Sequence, residues 1–325
     1  MSGWVELRIR IASPPSLEYN RRPCMERTLR NRLLFGSLML LVLFALLWLD
    51  DAAEHWTREW MRRHYHLPYG IGGLGIMAVL LLLLPAAVTE LAALFTAERI
   101  RPYTSLAALG CGALALHAFL TQWPAFQHVA ASCLAFIIVF VMLMAALLRA
   151  IEQQTEDAIV RMAGTVLATL YLGGLAWFIM AIRVKHAVGF NGSTKIILML
   201  LLAVKSTDIG AYFGGRALGR HKLIPWLSPG KTWEGLICGL ITAALVAMAF
   251  AQAIHQPLWK AALFGACIGA IGQAGDLLES LMKRDAEVKD SGRLIPGFGG
   301  VLDVIDSPLF AAPFAYLWFS LVFRS

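Results

Sequence analysis

Charge is scarce in this chain. Asp, Glu, Lys and Arg make up 15% of its 325 residues, against about 25% in an ordinary soluble domain. Hydrophobic residues fill the gap at 58%. Cysteine is also sparse. The five lie at 24, 111, 133, 238 and 267, with no CxxC and no Cys/His cluster. That spacing argues against a zinc site or a disulfide framework, and four of the five sit in apolar runs as small buried thiols. A secretory cleavage site is missing too: the first apolar run is longer than a signal h-region and no small-residue site ends it. There is no internal repeat, low-complexity tract or linker. GKT at 230–232 is not a nucleotide-binding P-loop, because the upstream glycine of that motif is replaced by Pro225.

What is present is a series of long apolar runs, near 34–49, 71–95, 104–120, 129–149, 160–182, 194–214, 234–254, 259–279 and 308–323. Most approach the roughly 20 apolar residues that a bilayer span requires. The expected fold is all-α, a polytopic integral membrane helical bundle of about nine transmembrane helices. Residues 1–33 read as a basic cytoplasmic arm with seven arginines. Residues 34–190 read as plain N-terminal spans, and 191–325 as C-terminal spans that carry the polar motifs. Lys and Arg favour the cytoplasmic side. The arm, the connections near 99–101 and 149–161, and loops 215–233 and 280–307 are therefore expected inside. The net charge of +7 suits basic cytoplasmic loops, an anionic substrate or anionic lipid headgroups alike.

Three polar clusters interrupt the apolar pattern. In KSTDIGAYFGGRALGRHKL, residues 205–223, Lys205 and Asp208 stand at membrane depth, where a charge is paired, wet or functional. In LSPGKTWEG, residues 227–235, Ser228 or Thr232 can cap a helix starting near Trp233. Lys231 is either a phosphate contact or an anchor at the cytoplasmic edge. The third is GQAGDLLESLMKRDAEVKDSGRLIPGFGGVLDVID, residues 272–306. Asp276 and Glu279 are three apart and share a helix face. Asp303 and Asp306 are also three apart, so both face one way if that segment is helical. Two acidic pairs joined by a glycine turn suit a hard divalent cation, which takes one or two carboxylates together with substrate phosphates. Neighbouring Lys and Arg supply charge for phosphate oxygens. The competing reading is a solvated, ion-paired loop between helices.

Residues 280–306 resemble the C-terminal motif of the phosphatidate cytidylyltransferases, the CDP-diacylglycerol synthases. Ser280, Met282, Lys283, Arg284, Lys289, Asp290, Gly292, Ile295, Pro296, Gly299, Gly300, Asp303 and Asp306 fall in register with it. The two upstream clusters also look like motifs of this family, so the likeness is strong over about 200–310. Two positions depart from it. Phe298 stands where the family has His, and Val304 where it has Arg, so no acid–base role is available at 298.

The resemblance implies transfer of CMP from CTP to phosphatidate, giving CDP-diacylglycerol and pyrophosphate. It implies magnesium, with room for a second ion, held by Asp276, Asp303 and Asp306. Lys283, Arg284 and Lys289 would hold phosphate, with Asp290 orienting Lys289 or a metal-bound water. Asp208, Ser228, Lys231 and Thr232 would line the opposite wall. The implied partners are CTP, phosphatidate, the lipid bilayer and a second copy of the chain in a homodimer; no nucleic acid is expected. The implied location is the inner (plasma) membrane, with the N-terminus and catalytic loops cytoplasmic. Rival readings are a related CTP-using enzyme such as a lipid kinase, a transporter, and a catalytically silent relative.

Overall fold

The computed structural model describes residues 22–184, 193–295 and 299–322. Most of the N-terminal arm, the 185–192 connection, and Pro296 and Phe298 of the glycine turn lie outside the described residues. The chain is a helical bundle. Helices α1 (Arg22–Tyr65), α2 (Leu74–Ala97), α3 (Thr104–Leu120), the short α4 (Pro124–Gln127) and α5 (Ala130–Ile151) come first. Next are α6 (Ala158–Ala168), a π-helical segment Thr169–Gly174, and α7 (Leu175–Val184). Then follow α8 (Ser193–Leu218), α9 (Trp233–Phe250), α10 (Leu258–Asp285) and α11 (Leu302–Leu321). Among the described residues, eight helical stretches are long and apolar enough to cross a membrane, and α3 is a shorter ninth. Helix satisfies every backbone polar group within one segment, which lipid demands of any span. The chain is a multi-pass membrane protein.

Two boundaries differ from expectation. The first span was expected to stop at residue 49, yet α1 continues to Tyr65. Two of its acids beyond that point, Asp50 and Glu54, are held against the bundle. Asp50 and Glu54 both pair with Arg183 of α7, which is fully buried, the Glu54 contact at 2.8 Å. Asp50 also accepts the Gly75 N–H at 2.8 Å. One buried guanidinium thus ties α1 to the start of α2 and the end of α7. The sixth span, expected to be broken by its polar residues, is one unbroken helix through Lys205 and Asp208.

Helices α8, α9 and α10 pack at small residues. A Cβ on Gly239 would meet the Thr207 carbonyl at 2.6 Å, and one on Gly269 would meet Thr207 Oγ1 at 2.6 Å. Such close backbones gain dispersion contacts that lipid tails would not outcompete. Between α8 and α9 lies the only β structure among the described residues besides one isolated bridge. It is an antiparallel hairpin of β1 (Lys222–Ile224) and β2 (Ser228–Thr232), with Lys222 opposite Thr232 and Ile224 opposite Ser228. The Thr232 hydroxyl accepts the Gly235 N–H at 3.1 Å and caps α9, as expected of a Thr at that position.

Candidate active site

Helix α10 carries Asp276, Glu279 and Lys283 at spacings of three and four, so all three project from one face. The chain then turns back through a loop closed by the Ile295–Gly299 bridge, with N–H to O distances of 2.9 and 3.1 Å. Gly299 has φ 102°, a conformation that a side chain would strain. Helix α11 starts directly after, and Asp303 and Asp306 lie in its first two turns.

Carboxylate oxygens of Asp276, Glu279 and Asp306 lie within 4.8 Å of one another. Glu279 and Asp306 are 1% and 2% exposed. Glu279 Oε1 and Asp306 Oδ2 are enclosed with no hydrogen-bond donor among the described residues. Enclosed carboxylates at this separation repel one another, and positive charge placed between them relieves that repulsion. The donor set is all oxygen and hard, and two of its oxygens are unpartnered among the described residues, which is compatible with a hard divalent cation such as magnesium.

Lysines surround the acids. Lys283 Nζ lies 3.2 Å from Glu279 Oε2 and 2.7 Å from Asp303 Oδ1. Lys231, reaching over from the hairpin, pairs with Asp276. Lys205 Nζ is 4.0 Å from Asp208 Oδ2, and Asp208 Oδ1 accepts from Gln273 at 2.5 Å. Asp208, Asp276 and Asp306 lie within electrostatic reach of one another. Lys205 thus pairs with Asp208, Lys231 with Asp276, and Lys283 with both Glu279 and Asp303, leaving no lysine paired with Asp306 among the described residues.

Asp303 and Asp306 were expected to face one way. The segment is helical, but the two side chains part. Asp303 Oδ2 turns back to accept the N–H of Gly300 at 2.7 Å, the N–H of Ser291 at 3.1 Å and the Ser291 hydroxyl at 3.0 Å. Lys283 takes its other oxygen. The loop leaves these donors beside the first turn of α11, and a carboxylate there satisfies them. Asp303 is therefore not one of the three mutually close carboxylates, which include Glu279, but it shares Lys283 with Glu279. Glu279's helical spacing from Asp276 was the signal that could have included it.

The structure also adds Glu90, from an apolar span. Its carboxylate accepts the N–H of Val301 at 3.0 Å, the N–H of Leu302 at 2.8 Å and the Ser291 hydroxyl at 3.3 Å. A Cβ on Gly292 or Gly300 would collide with it. Glu90 thus clamps the loop and the start of α11 from across the bundle. A lone acid inside the run Leu74–Ala97 was its signal, since charge at that depth is costly without a task. Tyr171 is a second addition. It sits in the π-helical segment, a distortion often found at functional sites. Its buried hydroxyl has no partner among the described residues and feels the charges of Asp306 and Glu279. Apart from the neighbouring glycines, no sequence signal marked it.

The remaining expected residues lie around this core. Arg284 is exposed in the last turn of α10, its guanidinium donating to the Val288 carbonyl at 3.4 Å, and Lys289 and Asp290 are exposed on the loop that follows. Ser228 is half-buried at the start of β2. Thr232 is 8% exposed, its hydroxyl engaged in the cap.

The profile of the cytidylyltransferase family matches residues 66–322. A phosphatidate cytidylyltransferase of Haemophilus influenzae is 46% identical over 131 residues, covering 38% of this chain and 46% of the relative. One of Bacillus subtilis is 40% identical over 158 residues, covering 48% and 57%. An uncharacterized protein of Escherichia coli, YnbB, is 40% identical over 152 residues, covering 46% and 49%. The matched stretch spans about half the length of these curated relatives.

Proposed function

This chain belongs to the cytidylyltransferase family, and on that premise we propose that it transfers CMP from CTP to phosphatidate, forming CDP-diacylglycerol and pyrophosphate. The observation that carries the reading is the enclosed pair of carboxylate oxygens on Glu279 and Asp306, beside Asp276 and ringed by lysines. Asp276, Glu279 and Asp306 would hold magnesium. When bound, it supplies positive charge against triphosphate oxygens.

A phosphatidate oxygen attacks the α-phosphorus of CTP, the bond to the bridging oxygen breaks, and pyrophosphate leaves. The nucleophile is already an anion, so the reaction needs no general base, which suits a chain with Phe298 in place of the family's His. The residues of the chain have to position groups and balance charge, the main requirements of phosphoryl chemistry. Lys231 and Lys283 hold phosphate oxygens by exchanging their present carboxylate partners for substrate. Tyr171 donates its unpartnered hydroxyl to an oxygen in the same cavity. Arg284 and Lys289 draw in triphosphate at the loop, and Asp290 orients Lys289. Asp208, Ser228 and Thr232 form the opposite wall. Asp303 keeps Lys283 and the turn in place rather than binding the ion. The site opens to the cytoplasm of the inner membrane, and the acyl chains enter sideways from lipid. The homodimer rests on the family resemblance, and the particle mass in detergent measures it.

The test uses purified protein in detergent with phosphatidate, magnesium and CTP labelled at either the α- or the γ-phosphorus. Label from the α-position appearing in lipid, abolished by EDTA, supports the reading. Transfer of the γ-label instead would make the protein a kinase. No transfer of either label to phosphatidate would overturn the proposal.

A further inference from the structure

The N-terminal half holds a second polar site. The C-terminal ends of α2 and α5 meet the start of α6 around a pocket of about 430 Å³, within the size range of small-ligand sites. Arg99, Arg101, Arg149 and Arg161 line it, opposed by Glu156 and Asp157. This pocket lies toward the same end of α2 as its contact with the start of α11. Glu90 of α2 touches the start of α11, and α2 runs on from Glu90 to Thr96 at the pocket's edge, about 9 Å further along its axis.

The four arginines differ in how much of their charge is already used. Arg149 is 4% exposed and fully engaged. Its guanidinium donates to the Glu156 carbonyl at 3.0 Å, to Glu152 Oε2 at 2.8 Å and to Gln154 Oε1 at 2.6 Å. That hydrogen bond from Arg149 holds the Glu152 carboxyl below the usual range, so the pair stays ionic. Arg149 is the floor on which the 152–157 loop is folded. Arg161 is half-buried, 3.5 Å from the same Glu152 and 5.6 Å from the centre of the Tyr103 ring. Arg99 and Arg101 have neither an ion pair nor a hydrogen bond from their side chains among the described residues.

Arg99 stands at φ 62°, directly after the C-terminal cap of α2. The Arg99 and Ile100 N–H groups close the helix end onto Thr96 and Phe95 at 3.0 and 2.9 Å. Glycine is the usual residue at that position, because any side chain there is strained. Here the position holds a guanidinium that lines the pocket and has no partner among the described residues. On the opposite rim, no side chain caps the first turn of α6, which leaves its N-terminal dipole facing the pocket. A bidentate guanidinium and a helix N-terminus both match phosphate oxygens.

We propose that this pocket binds the phosphate group of an anionic phospholipid in the leaflet that borders the catalytic site, with Arg99 and Arg101 as the ligating residues. The site stands apart from the cytidylyltransferase reading and would remain if that reading failed. Its phosphate could also come from a soluble anion, so the experiment separates the two sources.

The protein is placed in nanodiscs of phosphatidylcholine with increasing phosphatidylglycerol, a lipid that is not the proposed substrate, and the retained lipid is counted by native mass spectrometry. The comparison is the double variant Arg99→Gly, Arg101→Gln. Gly relaxes the strained φ, so this variant should melt no lower than wild type in pure phosphatidylcholine, and lost binding cannot be blamed on unfolding. A basic residue near an anionic surface contributes about a fivefold preference, so the pair should contribute about thirtyfold. Loss of that preference in the variant supports a lipid source. Stabilisation of wild type but not the variant by millimolar inorganic phosphate, without a lipid preference, supports the phosphate site and assigns it to a soluble anion. Equal retention and equal phosphate response in both proteins would overturn the proposal.

Discussion

Replacing Glu90 by Gln tests whether a residue of the N-terminal half organises the reaction loop. The carboxylate now accepts two backbone N–H groups from α11 and one hydroxyl from Ser291. Gln has nearly the same shape but only one acceptor oxygen, and its amide must point donors at an N–H that is already a donor. A hydrogen bond to a charged acceptor contributes about 1.5–3 kcal/mol, and an enclosed N–H left without an acceptor costs about 1–3 kcal/mol. Half-burial of Glu90 favours the low end of both ranges, so the docked loop should lose about 2 kcal/mol. That corresponds to about thirtyfold in the ratio of docked to open loop.

The loop is a small part of the apolar bundle, so the melting temperature should barely move. The loss should appear locally, as faster amide exchange at Val301 and Leu302, and as a fall in kcat of about tenfold or more with CTP saturating. Glu90→Asp keeps the charge on a shorter stem and should recover part of the rate. The reasoning is refuted if Glu90→Gln retains wild-type kcat and unchanged exchange at both amides.

Three further outcomes are expected. Asp306→Asn removes one of two facing carboxylates. Magnesium-dependent turnover should disappear, while the melting temperature in EDTA should equal or exceed that of wild type; a large destabilisation in EDTA would contradict a repulsive apo site. Arg183→Leu strands Asp50 and Glu54 in the bundle and should cost about 3–5 kcal/mol, read as a lower melting temperature in detergent. Wild-type melting of that variant would show that the pair is solvated in practice. A Cβ at Gly300 would meet Ser291 Oγ and the Glu90 carboxylate. Gly300→Ala should therefore behave like Glu90→Gln, and combining the two should cost much less than the sum of the single effects, measured as a double-mutant cycle on kcat.

Much of the site could be read from local spacing. Asp276 and Asp306 were recognisable as acids at the edges of apolar runs, and Lys231 and Lys283 as the cations beside them. The helix start at Thr232 followed from capping chemistry alone. What spacing could not decide was the direction of each carboxylate. Asp303 and Asp306 are three residues apart on one helix, yet Asp303 is drawn back to the N–H groups at 291 and 300 while Asp306 meets Asp276 and Glu279. The deciding factor was the loop's fold, which places those donors beside the first turn. Glu279 was visible as Asp276's helical neighbour, but its role depended on Asp306 arriving from another helix.

By itself, then, the sequence determined a multi-pass helical bundle with an acidic, lysine-rich pole near its C-terminal end. Hydrophobicity and helical period act over a few residues and need no knowledge of the fold. Only the tertiary structure decided which charges meet. Arg183 finds Asp50 and Glu54 more than a hundred residues away. Glu90 reaches a loop two hundred residues downstream, and Tyr171, in the π-helical segment, feels the charges of Asp306 and Glu279. Each of these is an isolated polar residue in an apolar run. In a membrane bundle such a residue must find its partner across helices, because the lipid around its own helix offers none.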